Sequence, residues 1–440
     1  PGWTAGRDCA MFPPMSATYL KSSAIRAADG CHNTEVLVVG GGLVGASLAA
    51  ALANSGIPVA LIDREDPAAV LETGFDGRAS AIAAGSRHMF EAIGLWAHLA
   101  EAQPIRDIRV TDGRIGRAPS PLSLNYDHRA VGEPFGHIVE NRLLRAAQQR
   151  HLQTCSTLLH LAPVAVDHVV RRDTGVEAVL ADGRRVRARL LCACDGRNSR
   201  LREQAGIRAR RWSYDQAGVV ATLRHERAHN GVAYEHFLPS GPFAMLPLPD
   251  DGEGYHRSSI VWTERPALAR RAVAMDDRTF AREVLRRFGK THGWVEPVGP
   301  KFRYPLGGLH ADRYIDRRMA LVGDAAHGIH PIAGQGLNLG LRDVAALAEC
   351  IADARRLGLD VGGADVLARY QRWRRVDNLT LVAATDSLDR LFSNDWGPVR
   401  LARDLGMAAV DRMGPLKKVF MRHAMGMLGD LPRLVQGKPL

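Results

Sequence analysis

The chain has 440 residues, 46% hydrophobic and 24% charged, with a formal net charge of +11. That length buries a large core and points to two intimately joined domains with the composition of a soluble globular protein. No uninterrupted apolar run reaches bilayer-spanning length, and the basic excess is scattered in pairs such as Arg171-Arg172 and Arg286-Arg287, which argues against a nucleic-acid stripe.

The six cysteines show no CxxC pair and no metal-ligand spacing, so a reducing, cytoplasmic setting without a metal centre is expected. Residues 1–33 show little periodicity, with neither a clean signal peptide nor a transit sequence, and are expected to be disordered or extraneous.

Glu35 to Val39 is a short apolar strand running straight into Gly40-Gly41-Gly42-Leu43-Val44-Gly45. An Ala-rich helix to Ser55, a stop at Gly56, and a second apolar strand, Val59 to Ile62, closing on Asp63 complete a βαβ dinucleotide fingerprint. In that fingerprint Gly40 makes the turn, Gly42 admits a pyrophosphate, Gly45 lets helix and strand pack, and Asp63 accepts from ribose hydroxyls. Arg78 stands in a polar break before a helical pattern expected from Ala81 to Ile93, and Arg142 opens another helix. Each could reach a ligand or serve as a surface ion-pair partner.

Val164 to Leu191 alternates as β-structure does and ends in an apolar run at Asp195-Gly196. Ser199 and Arg202, three apart, would share a face of a helical turn, where an exposed Arg can hold a phosphate. From Trp212 to about Tyr304 come short alternating segments, expected to form an antiparallel sheet interrupted by a helix from Phe280 to Phe288. A cleft between such a sheet and the nucleotide domain is the default substrate site. His236, Phe243 and Tyr304 fall near that cleft by pattern, each read as a lining or core residue; no residue is identified as a catalytic base.

Met319 to Asp343 reads MALVGDAAHGIHPIAGQGLNLGLRD. An apolar strand ends at Gly323-Asp324, which puts a carboxylate at the sheet's C-terminal edge. Pro331 and a glycine turn, Gly334-Gln335-Gly336, then lead into a helix from Leu337, whose free N–H groups can face negative charge. A nucleotide with a redox ring fits an acceptor and a donor cluster so placed. Helices follow from Arg342 to Arg356 and from Asp365 to about Leu391. The tail from Pro398 to Met427 is amphipathic, with eight Lys or Arg against three Asp between Arg400 and Lys438. A helical cap on the core and a membrane-surface helix both suit it.

The motifs at Gly40 to Gly45, Asp195 to Arg202 and Gly323-Asp324 together resemble the group A flavoprotein monooxygenases of the para-hydroxybenzoate hydroxylase fold. The longer run from Gly323 to Asp343 is similar to the signature of the ubiquinone-biosynthesis hydroxylases, as are GPFAMLPL at Gly241 to Leu248, YPL at Tyr304 to Leu306 and TDSLDRLFS at Thr385 to Ser393. Asp63 stands where that family usually has Glu. The resemblance implies an α/β fold: a Rossmann-like FAD-binding domain (34–110, 140–210 and 305–365), an inserted sheet domain for substrate (111–139 and 211–304), and a helical region over 366–440.

It further implies that Gly40, Gly42, Gly45 and Asp63 hold the ADP half of FAD, and that Arg78 and Arg142 contact the cofactor. Asp195 and Gly196 would serve FAD and the reductant. Gly323 and Asp324 would bind the ribityl side, and Pro331, Gly334, Gly336, Leu337 and Asn338 would flank the isoalloxazine. The implied activity is hydroxylation of a polyprenylated phenol with O2, through reduced flavin and a flavin hydroperoxide. NAD(P)H is the expected transient reductant, since no second dinucleotide fingerprint appears. Association with the inner membrane surface and with a quinone-biosynthesis complex would follow. The alternatives are a polyprenyl reductase or another aromatic hydroxylase of the same fold, or a non-catalytic flavin-binding scaffold. A halogenase is disfavoured because no two Trp residues stand two apart.

Overall fold

The computed structural model describes residues 25–26, 31–72, 74–75, 77–117, 120, 122–329, 334–392 and 397–440. The first unit is β1 (Val36–Val39), α1 (Leu43–Asn54) and β2 (Val59–Ile62). Next come β3 (Ala79–Ala83), β4 (Asp107–Asp112), β5 (Gly136–Glu140), α2 (Asn141–Thr154), β6 (Leu158–Leu161) and β7 (Leu190–Ala193). The long strands β8 (Ala209–His225), β9 (Val232–Leu238), β10 (Gly241–Leu248) and β11 (His256–Glu264) follow, then α3 (Pro266–Val273), α4 (Asp277–Phe288) and β12 (Val295–Ala311). Strand β13 (Met319–Leu321) leads to α5 (Gln335–Arg356), α6 (Ala364–Phe392), α7 (Gly397–Arg412) and α8 (Gly414–Ala424).

One sheet runs in the order β6, β2, β1, β7, β13, Ile315–Asp316, parallel except for its last pair. Every residue of β1, β2 and β7 is buried, as strands covered on both faces must be. They form the main core with the apolar side chains of α1 and α5. Because the strands are parallel, the residues that follow β2, β1, β7 and β13 all emerge at one edge. Those residues are Asp63, Gly40 to Gly45, Asp195-Gly196 and Gly323-Asp324, so sheet order alone gathers motifs spread over nearly three hundred residues.

The second sheet has eight strands in the order His327–Gly328, β12, β8, β11, β10, β9, β4, Leu124–Asp127. It is antiparallel except where β9 pairs with β4. The expected breaks at 110 and 304 fall within β4 and β12, which run through them. One face of this sheet is covered by α3 and α4: Trp262 and Phe243 pack against Phe280 and Phe288. The other face looks toward the nucleotide domain and the C-terminal helices. A Cβ built on Gly77 would lie 3.4 Å from the Phe302 ring of β12, and Phe237 of β9 stacks on Phe392 of α6 with centroids 4.1 Å apart.

Several expectations are corrected. The N-terminal segment is not wholly disordered: Ile25–Arg26 pairs with Cys31–Asn33, which pairs with Arg185–Ala188. Ala81 to Ala83 are strand, because β3 pairs along its length with β5, and the helix begins only at Ala84. The tail is two helices, broken where Gly414 and Pro415 interrupt the turn. No helix among the described residues is long and apolar enough to cross a membrane.

Candidate active site

The first turn of α1 is shaped by what its glycines exclude. Gly40 has φ +101, and a Cβ there would strike the Cys194 carbonyl oxygen. A Cβ on Gly45 would strike the Gly40 carbonyl oxygen, so helix and strand touch backbone to backbone. A Cβ on Gly42 meets nothing within 4 Å, and no side chain caps the helix that Gly42 begins. The helix therefore presents free N–H groups to open space, the arrangement a pyrophosphate requires.

Beside it lies a shallow cleft lined by Gly41, Asp63, Glu65, Arg145 and Gln148. Among the described residues the Asp63 carboxylate accepts a single turn hydrogen bond, from the Glu65 N–H at 3.2 Å. Arg142 is already paired with the buried Glu140 at 2.7 Å, and Glu140 also takes Arg257 of β11 at 3.2 Å. Arg78 lends its carbonyl to the Asn141 N–H at the start of α2.

The Asp195 carboxylate accepts from the Leu201 N–H through Oδ2, while Oδ1 is buried without a partner. A buried orphan acceptor at this edge suits a ligand hydroxyl. Gly196 has φ +81, which makes the turn. The expected exposed Arg202 is corrected: it is 1% accessible and donates to the carbonyls of Ala325 and Arg197. Once Ser199 caps its own short helix by accepting from the Arg202 N–H, the Arg side chain is directed inward and joins the second motif to the third.

In the third motif the Asp324 side chain is open to space, but the walls around it raise its carboxyl pKa against the pull of His327 and Arg197. Gly323 is held from behind: its N–H donates to Asp343 Oδ2 at 3.1 Å. Asp343 is fully buried and also takes His327, Arg374 (2.8 Å) and Asn378 (3.1 Å). Burial opposes its charge, but His327 and Arg374 outweigh burial and hold its carboxyl well below the usual carboxylate range. This network, which sequence reading missed although Asp343 closes the signature, fixes the strand end that carries Asp324.

Helix α5 begins at Gln335, two residues before the expected Leu337, after Gly334 with φ +63 and with no side-chain cap. Among the described residues, a Cβ on Gly336 would meet nothing within 4 Å. Leu337 is half-buried. Asn338 is committed to the protein: it accepts from the Ala83 N–H and donates to the Ala81 and Gly334 carbonyls. It therefore clamps the helix start onto β3. Pro331 lies outside the described residues.

Of the three cleft residues expected, Tyr304 alone faces the nucleotide domain. Its strand partner is Gly218, and Phe302, two residues before it, abuts the Gly77 loop. Phe243 and His236 lie on the opposite face, under α4; His236 is 3% accessible and bonds Thr111. The residue between Tyr234 and His236 is the one turned toward the cleft. Glu235 is half-buried, and among the described residues its carboxylate has no hydrogen-bond or ion-pair partner. Burial pushes its pKa up to about 7.

The family described as FAD binding domain matches residues 33–379. A ubiquinone hydroxylase of Rhodospirillum rubrum, UbiL, is 52% identical over 432 residues, covering 97% of both chains. The 3-demethoxyubiquinol 3-hydroxylase of Escherichia coli is 34% identical, over 90% of this chain and 99% of its own. Among solved structures, the p-nitrophenol 4-monooxygenase PnpA of Pseudomonas putida superposes with a TM-score of 0.74 at 19% identity, over 89% of this chain and 98% of that one.

Proposed function

The chain belongs to the FAD binding domain family and, within it, to the FAD-dependent hydroxylases of ubiquinone biosynthesis, and from that premise we propose that it hydroxylates the aromatic ring of a polyprenylated phenol on the route to ubiquinone. The observation that carries this reading is the convergence of three cofactor motifs at one sheet edge, with a largely apolar face of the second sheet turned toward it. Gly40, Gly42, Gly45 and Asp63 would hold the ADP half of FAD. Asp195 and Asp324 would take its hydroxyls, and Gly334 to Leu337 would flank its ring. Bound FAD, once reduced, supplies activated oxygen from O2 for transfer to the substrate ring.

The chain's own contribution is positional. The uncapped start of α5 offers N–H groups to the electron-rich edge of a ring, a favourable placement for developing negative charge. The Asn338 clamp keeps those groups in register with β3. The apolar sheet face opposite would help to keep water from the space where oxygen transfer would occur. NAD(P)H remains the reductant this reading favours.

A long polyprenyl tail stays in a bilayer, because each CH2 favours hydrocarbon by about 0.8 kcal/mol. This favours a docking face on the C-terminal helices. Leu405, Met413, Leu416, Val419 and Phe420 are exposed on α7 and α8 or at their junction, with Lys418 and Arg422 beside them. Lys417 is paired with Asp411 at 2.7 Å, Met427 packs against the core, and the Leu401 side chain lies outside what the structure describes.

The test of the reaction is expression in a bacterial strain that lacks its ubiquinone-ring hydroxylase. Restored ubiquinone, with loss of the accumulated prenylphenol, is expected. Persistence of that precursor with the protein present and flavin-loaded would argue for the reductase or scaffold reading.

A further inference from the structure

Strand register assigns Glu235 a place that its neighbours in sequence do not share. Directly opposite it stand Ala244 on β10 and Val110 on β4. Continuing across the sheet, Ala244 faces Val261, Val261 faces Val220, and Val220 faces Phe302. Directly opposed residues project to the same face. Glu235 is therefore the one ionisable side chain in an apolar row that ends at the Gly77 loop of the nucleotide domain. Phe237, two residues on and on the same face, stacks on Phe392.

Buried or half-buried charged groups on the elements around this row are paired with one another: Asp112 with Arg403, Glu140 with Arg257 and Arg142, and Lys417 with Asp411. None of these is directed to Glu235. A half-buried carboxylate without a partner among the described residues costs stability, and its place in an apolar row is what sets Glu235 apart.

We propose that Glu235 is the base that accepts the proton of the substrate's ring hydroxyl. This rests on the hydroxylase reading above. In the step, the phenolic O–H bond breaks, the proton passes to a Glu235 carboxylate oxygen, and the electron pair stays on the phenolate oxygen. Nothing is oxidised or reduced in this transfer. The added electron density at the ring carbons ortho and para to that oxygen prepares them for electrophilic oxygen. An apolar row around the base serves the step twice: it receives the ring, and it brings the base closer to its task. Ordinary glutamate lies almost six pH units below a phenol at about 10, whereas at about 7 Glu235 lies only about three below it.

The test uses the full chain loaded with FAD and reduced with dithionite, mixed with oxygen in the presence of 2-geranylphenol, so that no assumption about the natural reductant enters. Wild type, Glu235→Gln and Glu235→Asp are compared for product per turnover, rate against pH and FAD affinity. The wild-type rate is expected to rise with pH through about 7. Glu235→Gln should lose about 10²- to 10⁴-fold in rate together with that pH dependence, at unchanged FAD affinity. Glu235→Asp should recover part of both. Independently of turnover, the infrared band of a protonated carboxyl that titrates near neutrality should vanish in Glu235→Gln. A Gln variant with the wild-type rate and pH profile overturns the assignment and leaves the hydroxylase reading standing. Wild type that holds FAD and yields no hydroxylated product overturns that reading itself, and the assignment with it.

Discussion

Asp343 and Glu235 are carboxylates in the same protein, the first fully buried and the second half-buried, and their surroundings differ. Asp343 accepts from Gly323, His327, Arg374 and Asn378, so burial is more than compensated and its charge is held down to acid pH. Glu235 faces alanine, valine and phenylalanine, and burial alone pushes its pKa up to about 7. The contrast separates support from chemistry. A saturated carboxylate is a structural tie with nothing left to offer a ligand. An unsatisfied one is held in reserve, at a cost in stability, for a group that arrives later.

Breaking the saturated side should have the largest effect. Asp343→Ala leaves the guanidinium of Arg374 buried with Asp377 as its remaining anion. A loss of about 3 kcal/mol in urea unfolding is expected, the lower end for breaking a buried pair, because Asp377 persists. The wild-type contribution has a definite pH window. A carboxyl held below its unfolded value stabilises fully above about pH 4 and loses that stabilisation as pH falls further. The difference between wild type and variant should therefore shrink in acid; a difference independent of pH would mean that the network acts through packing alone.

Asp324 sits on the strand end that this network holds, and its side chain is exposed. Asp324→Ala should weaken FAD by about 1.5–3 kcal/mol, roughly ten- to a hundredfold, by titration of the apoprotein. The unfolding midpoint of the apo form should barely move. Unaltered FAD affinity would reduce Asp324 to a turn residue.

Glu235 should behave with the opposite sign to Asp343. Its folded pKa lies above its unfolded value, so the folded protein binds the extra proton and stability falls as pH rises from about 4.3 to about 7. Glu235→Gln removes that loss. It should be more stable than wild type by about 1–2 kcal/mol at pH 8, allowing for partial exposure, and no more stable at pH 4. Thermal melts at the two pH values decide the matter, and equal melting at pH 8 would mean that water satisfies Glu235 in solution.

The smallest effect concerns the tail. Lys418→Glu with Arg422→Glu should weaken co-sedimentation with anionic vesicles by on the order of 1 kcal/mol for each charge, with FAD content unchanged. Vesicle binding that ignores both salt and these substitutions would point to the apolar face alone.

What could be read from the chain alone follows the range of the forces involved. The strand, glycine turn and helix at Val36 to Asn54 depend on residues within a few positions of one another, and the expected elements match the structure closely. Gly323-Asp324 was legible for the same reason. Glu235 was not, since a one-residue change of register exchanges it with His236 on the cleft face, and alternation over seven residues does not say which face a helix will cover. The Asp343 network was equally hidden, because Arg374 and Asn378 reach it from another helix. Arg202 read as a free cation because its partners, two backbone carbonyls, are chosen by tertiary packing.

The central claim is oxygen transfer from O2 to a prenylated phenol at the joint between the two sheets. It is tested most directly by supplying isotopically labelled dioxygen to the flavin-loaded enzyme with 2-geranylphenol and a reductant, and analysing the product by mass spectrometry. One labelled oxygen atom in a new ring hydroxyl is the predicted result. A ring product whose new oxygen derives from water, or reduction of the prenyl chain with no oxygen gained, would contradict the account.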